Sequence, residues 1–249
     1  MSAPRLQTIN LRKRFGAVEV LADISLSVQP GEFVSVLGPS GAGKSTILQL
    51  LTGASVPDAG QMLVDGAPLS PSAHAFAFMP QGDALMPWRR IIDNATLGLE
   101  VQGMSRKQAR ARVAPLFAEF GLAGFERHYP AQLSGGMRQR AALLRTAVQE
   151  RPMLLLDEPF GALDALTRAQ MQRWLAGMRA RHGWTVLLIT HDVREAVLLS
   201  DRIYVLSSRP ARIAQHFTIP LAHPRPEVGS AALAAVEADI LHTLFYPED

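Results

Sequence analysis

The sequence feature that most constrains the fold is a glycine-rich loop between two apolar runs. "FVSVLG" is followed by "PSGAGKS" and then by "TILQLLTG", which predicts a buried strand, a loop and a helix in that order. Gly38, Gly43, Lys44 and Ser45 fit the pattern G-x-x-x-x-G-K-[ST] without a mismatch. Such glycines let backbone N–H groups turn toward phosphate oxygens, and the helix start adds its positive end. The loop predicts binding of a nucleoside triphosphate on an α/β fold, but does not by itself specify the reaction.

Composition limits the cellular location and the kinds of partner that we expect for this protein. The 249 residues include no cysteine, and no apolar run approaches the eighteen or so residues of a membrane span. The N-terminus lacks the apolar stretch of a secretory signal, so we expect a cytoplasmic protein. The formal charge is only +3 and the arginines are scattered, so we expect no nucleic-acid partner.

Alternating apolar and helical segments predict a largely parallel sheet. After residue 150 the strands "PMLLLDEP", "TVLLIT" and "RIYVLSS" are separated by helical patterns, as in α/β folds with both sheet faces covered. "TINLRKRF" and "ISLSV", near the N-terminus, also indicate strands. Residues 83–149 are rich in good helix formers. We therefore predict a nucleotide-binding core at about 1–82 and 150–220, a helical insertion at about 83–149, and a Pro- and Ala-rich tail at 221–249.

Two acids follow a buried strand in "MLLLDEP". Asp157 and Glu158 are predicted at the carboxyl end of that strand, where α/β sheets bind their ligands. Asp157 is a candidate Mg²⁺ ligand beside Ser45. Glu158 is placed to polarise a water molecule for attack on the γ-phosphate. An exposed acidic turn is the alternative, and the complete phosphate loop upstream weighs against it.

A second candidate anion site lies in "LSGGMRQR". Ser134, Gly135 and Gly136 open a helix-forming run, and a serine helix cap is a sufficient structural explanation. The start of a helix also presents free N–H groups and a positive dipole end to an anion. One chain therefore carries two candidate phosphate-binding segments.

The order of five features resembles that of the ATP-binding-cassette (ABC) ATPases. They are "GPSGAGKST", Gln81 after a strand, "LSGGM", "LLLDEP" with "GALD" behind it, and His191 in "LLITHD". The resemblance covers residues 5 to about 220, and it implies a RecA-like P-loop core, an N-terminal antiparallel β subdomain and an inserted α-helical subdomain. Four further segments look like the nitrate, sulfonate, taurine and bicarbonate importer subgroup: "QGDALMPWRRIIDNATLGLE", "THDVREAVLLSDRI", "SSRPARI" and "HPRP". The resemblance leaves the cargo open among nitrate, sulfonates, taurine and pyrimidine precursors.

The resemblance implies roles for individual residues, with ATP and Mg²⁺ as cofactors. Phe15 would stack on adenine, where the family more often has Tyr, and Asp164 would lie across a subunit boundary. The implied catalytic residues are Glu158, His191 and Gln81, and the implied metal ligands are Ser45, Gln81 and Asp157. The implied nucleotide contacts are Phe15, Gly38, Pro39, Ser40, Gly41, Ala42, Gly43, Lys44, Ser45, Thr46, Ser134, Gly135, Gly136 and Asp164.

Besides Phe15, three positions depart from the wider family pattern, and one of them is "LLRTA", which stands where "ARA" is usual. Pro80 precedes Gln81 where an aromatic residue is commoner. Met137 replaces the Gln that the family usually has at the end of "LSGGM", residues 133–137, which we call the signature. Since Met cannot donate a hydrogen bond, recognition at the signature must depend on Ser134 and backbone amides.

The resemblance also implies partners. It predicts a head-to-tail dimer of two copies, in which the signature of one copy meets the γ-phosphate on the other copy's phosphate loop. It further predicts separate membrane permease subunits, an indirect link to a solute-binding protein, and a peripheral location on the cytoplasmic membrane face. There are two alternatives: a soluble ABC ATPase that acts on ribosomes or DNA, and a P-loop kinase that phosphorylates a small molecule. Soluble ABC ATPases of the first kind usually have two fused cassettes or long coiled coils, and this sequence shows one cassette and no heptad run.

The segment "ALMPWRR" leaves two interpretations open. Leu85, Met86 and Trp88 could pack inside the helical insertion, or they could line an apolar groove for a permease helix.

Overall fold

The computed structural model describes residues 3–70, 74–223, 225 and 231–245. Within these residues ten strands form one sheet, in the order β5-β4-β1-β2-β10-β9-β3-β8-β7-β6. The strands are β1 Leu6–Phe15, β2 Val18–Val28, β3 Phe33–Leu37, β4 Ala59–Val64, β5 Ala67–Pro68, β6 Phe76–Met79, β7 Met153–Asp157, β8 Val186–Thr190, β9 Arg202–Leu206 and β10 Ala211–Thr218.

Some helices cover the sheet, and others, in the part of the sequence between β6 and β7, form a separate cluster. They are α1 Lys44–Leu51, α2 Ile91–Ala95, α3 Leu97–Val101, α4 Arg106–Val113, α5 Leu116–Glu119, α6 Gly135–Ala147, α7 Ala165–His182, α8 Val193–Leu199 and α9 Ala231–Phe245. None of these described helices has the length and apolar character needed to cross a bilayer.

The parallel half of the sheet confirms the predicted α/β fold. β3 pairs in parallel with β8 and β9, and β7 pairs in parallel with β6 and β8. β3, β7 and β8 are buried at every position, which explains why their sequences are apolar throughout. Because these strands run in one direction, the loops after β3, β7 and β8 meet at one edge of the sheet.

The other half of the sheet is antiparallel. β1 pairs with β2 and β4, and β4 pairs with β5, as the resemblance led us to expect for the N-terminal part. β10 joins the halves, since it pairs in parallel with β2 and antiparallel with β9. The sequence interpretation did not include β10, and it began β2 at "ISLSV" instead of Val18.

Helices α2 to α6 lie within the residues predicted as a helical insertion. The run "SRKQARARVAPLFAEFGL" forms two helices, because Pro115 has no N–H to continue the hydrogen bonding of α4. The insertion shares one hydrophobic cluster with the core, in which Phe117 and Leu144 pack with Leu154 and Leu188 of the sheet. This shared cluster stabilises the placement of α6 against the parallel strands.

Helix α9 lies in the predicted tail and packs on the core. Leu233 and Ile240 are buried in a cluster with Val197 of α8 and Ile203 of β9. The Pro- and Ala-rich composition gave no indication of this packing. Other parts of the predicted tail, including Pro224 and Pro226 of "HPRP", lie outside the described residues.

Candidate functional site

The phosphate loop follows β3 and ends in α1, as predicted. The amide of Ala42 donates to the Pro39 carbonyl at 3.2 Å, which closes the loop. Gly41 and Gly43 have φ values of +78° and +98°, in the region that L side chains rarely adopt. A Cβ on Gly43 would lie 2.8 Å from Leu21 Cδ2 and 2.9 Å from Val20 Cγ1. The loop is therefore seated directly against β2, and position 43 has no room for a side chain.

Lys44 completes the loop from inside. Its ammonium group donates to the carbonyls of Gly38 at 2.8 Å and Pro39 at 3.0 Å. Burial lowers the pKa of Lys44, while the nearby carboxylates of Glu158 and Asp157 oppose that shift. The lysine is a buried cation that holds its own loop and that a phosphate group can recruit.

Gly43→Ala tests the need for this backbone geometry. We expect nucleotide affinity to fall by about tenfold or more, since a side chain in the left-handed region costs about 1–2 kcal/mol and the new Cβ collides with β2. Gly53→Ala is the matched control, because Gly53 lies just beyond the end of α1, also has positive φ (+76°), and has nothing within 4 Å of its Cβ position. Titration of both variants with a fluorescent ATP analogue measures the difference. Equal affinities in the two variants would contradict the tight seating of the loop.

The acid pair and two further predicted residues meet at the carboxyl ends of β7 and β8. Glu158 Oε2 lies 3.2 Å from His191 Nδ1 and 3.5 Å from Gln81 Nε2. Glu158 has φ +44°, an uncommon conformation that costs roughly 1–3 kcal/mol and is typical of functional sites. The structure thus brings together Glu158, His191 and Gln81, the three residues that the resemblance implies to be catalytic.

Asp157 is the buried member of the acid pair. Burial, and after it the charge of Glu158, raise the pKa of Asp157 to about 6, while the positive charge of Lys44 opposes the increase. The ionised carboxylate is therefore short of positive charge in this site. A bound divalent cation would supply that charge.

Phe15, at the end of β1, has about half of its surface exposed, so it is not an ordinary core aromatic. The Lys13 ammonium lies 5.3 Å from its ring centroid. Arg209 donates to the Gly41 carbonyl of the phosphate loop at 2.7 Å. The role of Phe15 in stacking on adenine stays a prediction.

The signature segment begins α6, with Ser134 as its cap. Ser134 Oγ accepts from the Met137 amide at 3.3 Å. A Cβ on Gly135 would lie 3.1 Å from Leu163 Cδ2, and one on Gly136 would lie 3.0 Å from Thr167 Cγ2. The two glycines therefore let α6 approach α7 closely. In the described part of the chain, no hydrogen bond or ion pair joins Ser134 to Lys44.

Arginines of α6 hold the loop that follows Gln81. Arg138 pairs with the Asp83 carboxylate at 2.9 Å, and Arg145 donates to the carbonyls of Asp83 and Ala84 at 2.8 and 2.6 Å. Burial lowers the pKa of Arg145, and Asp83 opposes that shift. Asp83 and Ala84, two and three residues after Gln81, are thus held to α6 by these arginines, which the sequence interpretation had not named.

Comparison with known proteins decides the family. Residues 21–161 match the sequence model of the ABC transporter family. The chain belongs to this family. Its relatives include the aliphatic sulfonates import ATP-binding protein SsuB 2 of Pseudomonas aeruginosa, 45% identical over 95% of this chain and 83% of that protein. SsuB of Pseudomonas putida is 44% identical over 95% of this chain and 84% of the relative.

Solved structures of ABC cassettes share the fold. The dimeric structure of MJ0796, a bacterial ABC transporter cassette, aligns with a TM-score of 0.73 at 28% identity, over 86% of this chain and 98% of that one. A dimeric post-hydrolysis structure of the same cassette, bound to ADP and phosphate, aligns with a TM-score of 0.72. The fold and the family together make this chain an ABC ATPase.

The donor set fits the Mg²⁺ that ABC ATPases use. Asp157 is a buried carboxylate with its ionised form poorly compensated, and the candidate ligand Ser45 lies next to Lys44 at the start of α1. In the described part of the chain no three His, Cys, Asp or Glu side chains converge on one point. Mg²⁺ commonly takes one or two carboxylates, with phosphate and water oxygens completing the shell. The site therefore suits a metal that arrives with a nucleotide.

Asp164 has a structural role in this ABC ATPase. Its carboxylate caps α7 by accepting from the Thr167 amide at 3.0 Å, and that hydrogen bond lowers its pKa. The side chain is exposed, so the predicted position at a subunit boundary is compatible with the surface it occupies.

Proposed function

We propose that this chain is the ATP-hydrolysing subunit of an importer for aliphatic sulfonates. Two copies would work with separate membrane permease subunits, on the cytoplasmic face of the membrane, and a solute-binding protein would deliver the cargo. The observation that carries the proposal is 45% identity over 95% of the chain to a relative named as a sulfonate import protein. The relatives' import names also favour this proposal over action on ribosomes, DNA or a small-molecule acceptor.

The site supports a division of labour around one ATP. Lys44 and the loop amides would bind the β- and γ-phosphates, and Phe15 would contact the adenine. Ser45, Asp157 and Gln81 would hold Mg²⁺, which when bound neutralises phosphate charge. Glu158 would accept a proton from the attacking water, while His191, 3.2 Å from Glu158, would contact the γ-phosphate.

The second half of the site would come from another copy. Ser134 is exposed at the start of α6, and its hydroxyl accepts a hydrogen bond from the Met137 amide of the same helix. The free amides and positive end of α6 would complete the γ-phosphate site of the partner copy. A two-fold arrangement would then give two equal sites from one sequence.

Growth on a sulfonate tests the cargo. In a Pseudomonas strain lacking its own related subunit, we expect this chain to restore growth with ethanesulfonate as the only sulfur source. The Glu158→Gln variant should not restore it, and growth on sulfate should be unaffected throughout. Restored uptake of nitrate or taurine without ethanesulfonate would contradict the proposed cargo.

A groove next to the Gln81 loop, lined by both apolar and polar side chains, is the proposed permease site. It has a volume of about 870 Å³, and its lining includes Phe78, Pro80, Leu97 and Val101. Phe78 and Val101 are exposed large apolar side chains, and Val101 is 81% exposed. Such a groove suits an amphipathic helix. Because Arg145 lines it and also holds the Asp83 loop, a docked helix would contact the path to Gln81.

Leu85, Met86 and Trp88 of "ALMPWRR" differ in exposure, and Met86 is half-buried. Leu85 is buried in the main hydrophobic cluster, so the packing interpretation is correct for it. Trp88 is 73% exposed, so packing inside the insertion is wrong for it. Trp88 lines a separate polar cavity with Arg89 and Tyr129, and it does not line the groove beside Pro80.

Val101→Asp tests the groove. We expect the variant to bind ATP normally but to lose at least about tenfold in affinity for the permease, because docking would bury an unpaired charge. Leu241→Asp is the control, since Leu241 is an exposed apolar residue of α9, and α9 packs near β9, several strands from the β6 edge. Co-purification with the permease measures both variants. If both variants retained the permease equally, the groove would not be the permease site.

A further inference from the structure

The strongest unexplained feature outside the residues assigned above is a buried carboxyl group on α8. Glu195 is only 3% exposed, and its Oε1 is buried without a hydrogen-bond partner in the described part of the chain. Its other oxygen, Oε2, accepts from Thr190 Oγ1 at 2.6 Å. An acid in this position is costly to ionise, so its presence requires an explanation beyond surface solvation.

Glu195 is hydrogen-bonded to the residues on either side of His191 in the chain. Thr190, directly before the histidine, donates its hydroxyl to Glu195 and accepts from the Asp192 amide at 3.0 Å. Asp192, directly after the histidine, caps α8 by accepting from the Glu195 amide at 3.2 Å. Both chain neighbours of His191 are therefore fixed by the same residue.

We propose that Glu195 is a positioning residue for His191, and that it acts as the neutral acid. It would hold the Thr190–Asp192 backbone so that the imidazole stays within reach of Glu158 and of the γ-phosphate. The inference rests on the proposed role of His191, and it adds a protonation requirement to that role.

The charges around Glu195 favour the neutral form. Burial raises its pKa to about 8, with Asp192 and Glu158 contributing to the increase, while the Thr190 hydrogen bond and Arg168 of α7 oppose it. On α9, Glu237 pairs instead with Arg194, at 3.6 Å. Ionisation above about pH 8 would add a negative charge near those of Asp192 and Glu158, which would displace the residues around His191.

The test is the pH dependence of kcat, measured on the full chain at saturating ATP. We expect the turnover of wild type to fall as pH rises through about 8. Glu195→Gln should not show this decrease, because its amide oxygen still accepts the hydrogen bond from the Thr190 hydroxyl and the side chain has no titratable proton. Glu195→Ala should lower kcat at every pH, with the affinity for ATP retained, and Gln should rescue more turnover than Ala. Glu119→Gln, on α5, should keep the wild-type pH profile.

Stability gives a second readout with a defined sign. A carboxyl group whose folded pKa lies above its unfolded value destabilises the fold as pH rises between the two values. The melting temperature of wild type should therefore fall relative to that of Glu195→Gln between about pH 5 and pH 8. A constant difference across that range would contradict the neutral acid.

The outcomes separate this inference from the proposed function. An alkaline decrease in Glu195→Gln equal to that of wild type overturns the positioning role of the neutral acid. If His191→Ala retains full turnover, the role of His191 fails, and the inference about Glu195 fails with it. If His191→Ala is inactive while Glu195→Gln keeps the wild-type profile, only the inference about Glu195 is overturned.

Discussion

Replacing Glu158 by Gln is expected to lower ATP turnover by about 10²–10⁴-fold while leaving ATP binding intact. The amide keeps the size of the side chain and can still contact His191 and Gln81, but it cannot accept a proton from the attacking water. Lys44 and the loop amides are untouched by this change, so affinity should be retained. Steady-state ATPase assays and a binding titration on the same preparation measure the two quantities.

The control for this substitution is Glu119→Gln. Glu119 also lies beside a histidine, with Oε1 2.8 Å from His182 Nε2, but it belongs to α5 in the helical insertion. We expect its turnover to equal that of wild type. If Glu158→Gln hydrolysed ATP as fast as this control, Glu158 would not be the general base.

Ser134→Arg is expected to lower turnover by about 10²–10³-fold without weakening the binding of ATP to the isolated subunit. The size of the effect is that of removing a donor site aimed at developing phosphate charge. The bulky side chain would occupy the exposed helix start where the partner's γ-phosphate is proposed to bind. ATP binding should persist because the chain's own phosphate loop, centred on Lys44, is unchanged.

Loss of a helix cap is the effect that must be separated from loss of the site. Ser105→Arg provides this control, because Ser105 caps α4 by accepting from the Gln108 amide, as Ser134 caps α6 by accepting from the Met137 amide. Both substitutions should cost about 1 kcal/mol of stability, and only Ser134→Arg should reduce turnover. Equal turnover in the two variants would leave the signature with a structural role alone.

The strands that the sequence predicted well are those buried on both faces. β3, β7 and β8 are apolar throughout because helices cover both sides of the sheet, so their sequences carry the signal directly. The start of β2 contains Glu19, which faces partly outward, and β10 is largely exposed, so neither has a continuous apolar run. Their pairing depends on neighbours distant in the chain, which a single segment does not reveal.

The candidate site shows the same contrast. Glu158 could be predicted because it follows a recognisable buried strand, and ligands bind at the carboxyl ends of such strands. Gln81 and His191 were named through the family resemblance. Glu195 gave no such signal, since a glutamate in a short helix is usually solvated. Arg145 was also missed, because its importance comes from two carbonyl groups about sixty residues away in the chain. Burial of a polar side chain is set by tertiary packing, and that information appears only in the structure.

The central claim is that two copies share each ATP, with the phosphate loop on one copy and Ser134 on the other. Sedimentation velocity of the Glu158→Gln variant with ATP tests this most directly. The account predicts a shift from one chain of 27.1 kDa to a dimer that retains two nucleotides. Adding Ser134→Arg to the same variant should return the ATP-bound protein to monomer, whereas adding Ser105→Arg should not. An ATP-bound dimer that survives Ser134→Arg would contradict the shared site.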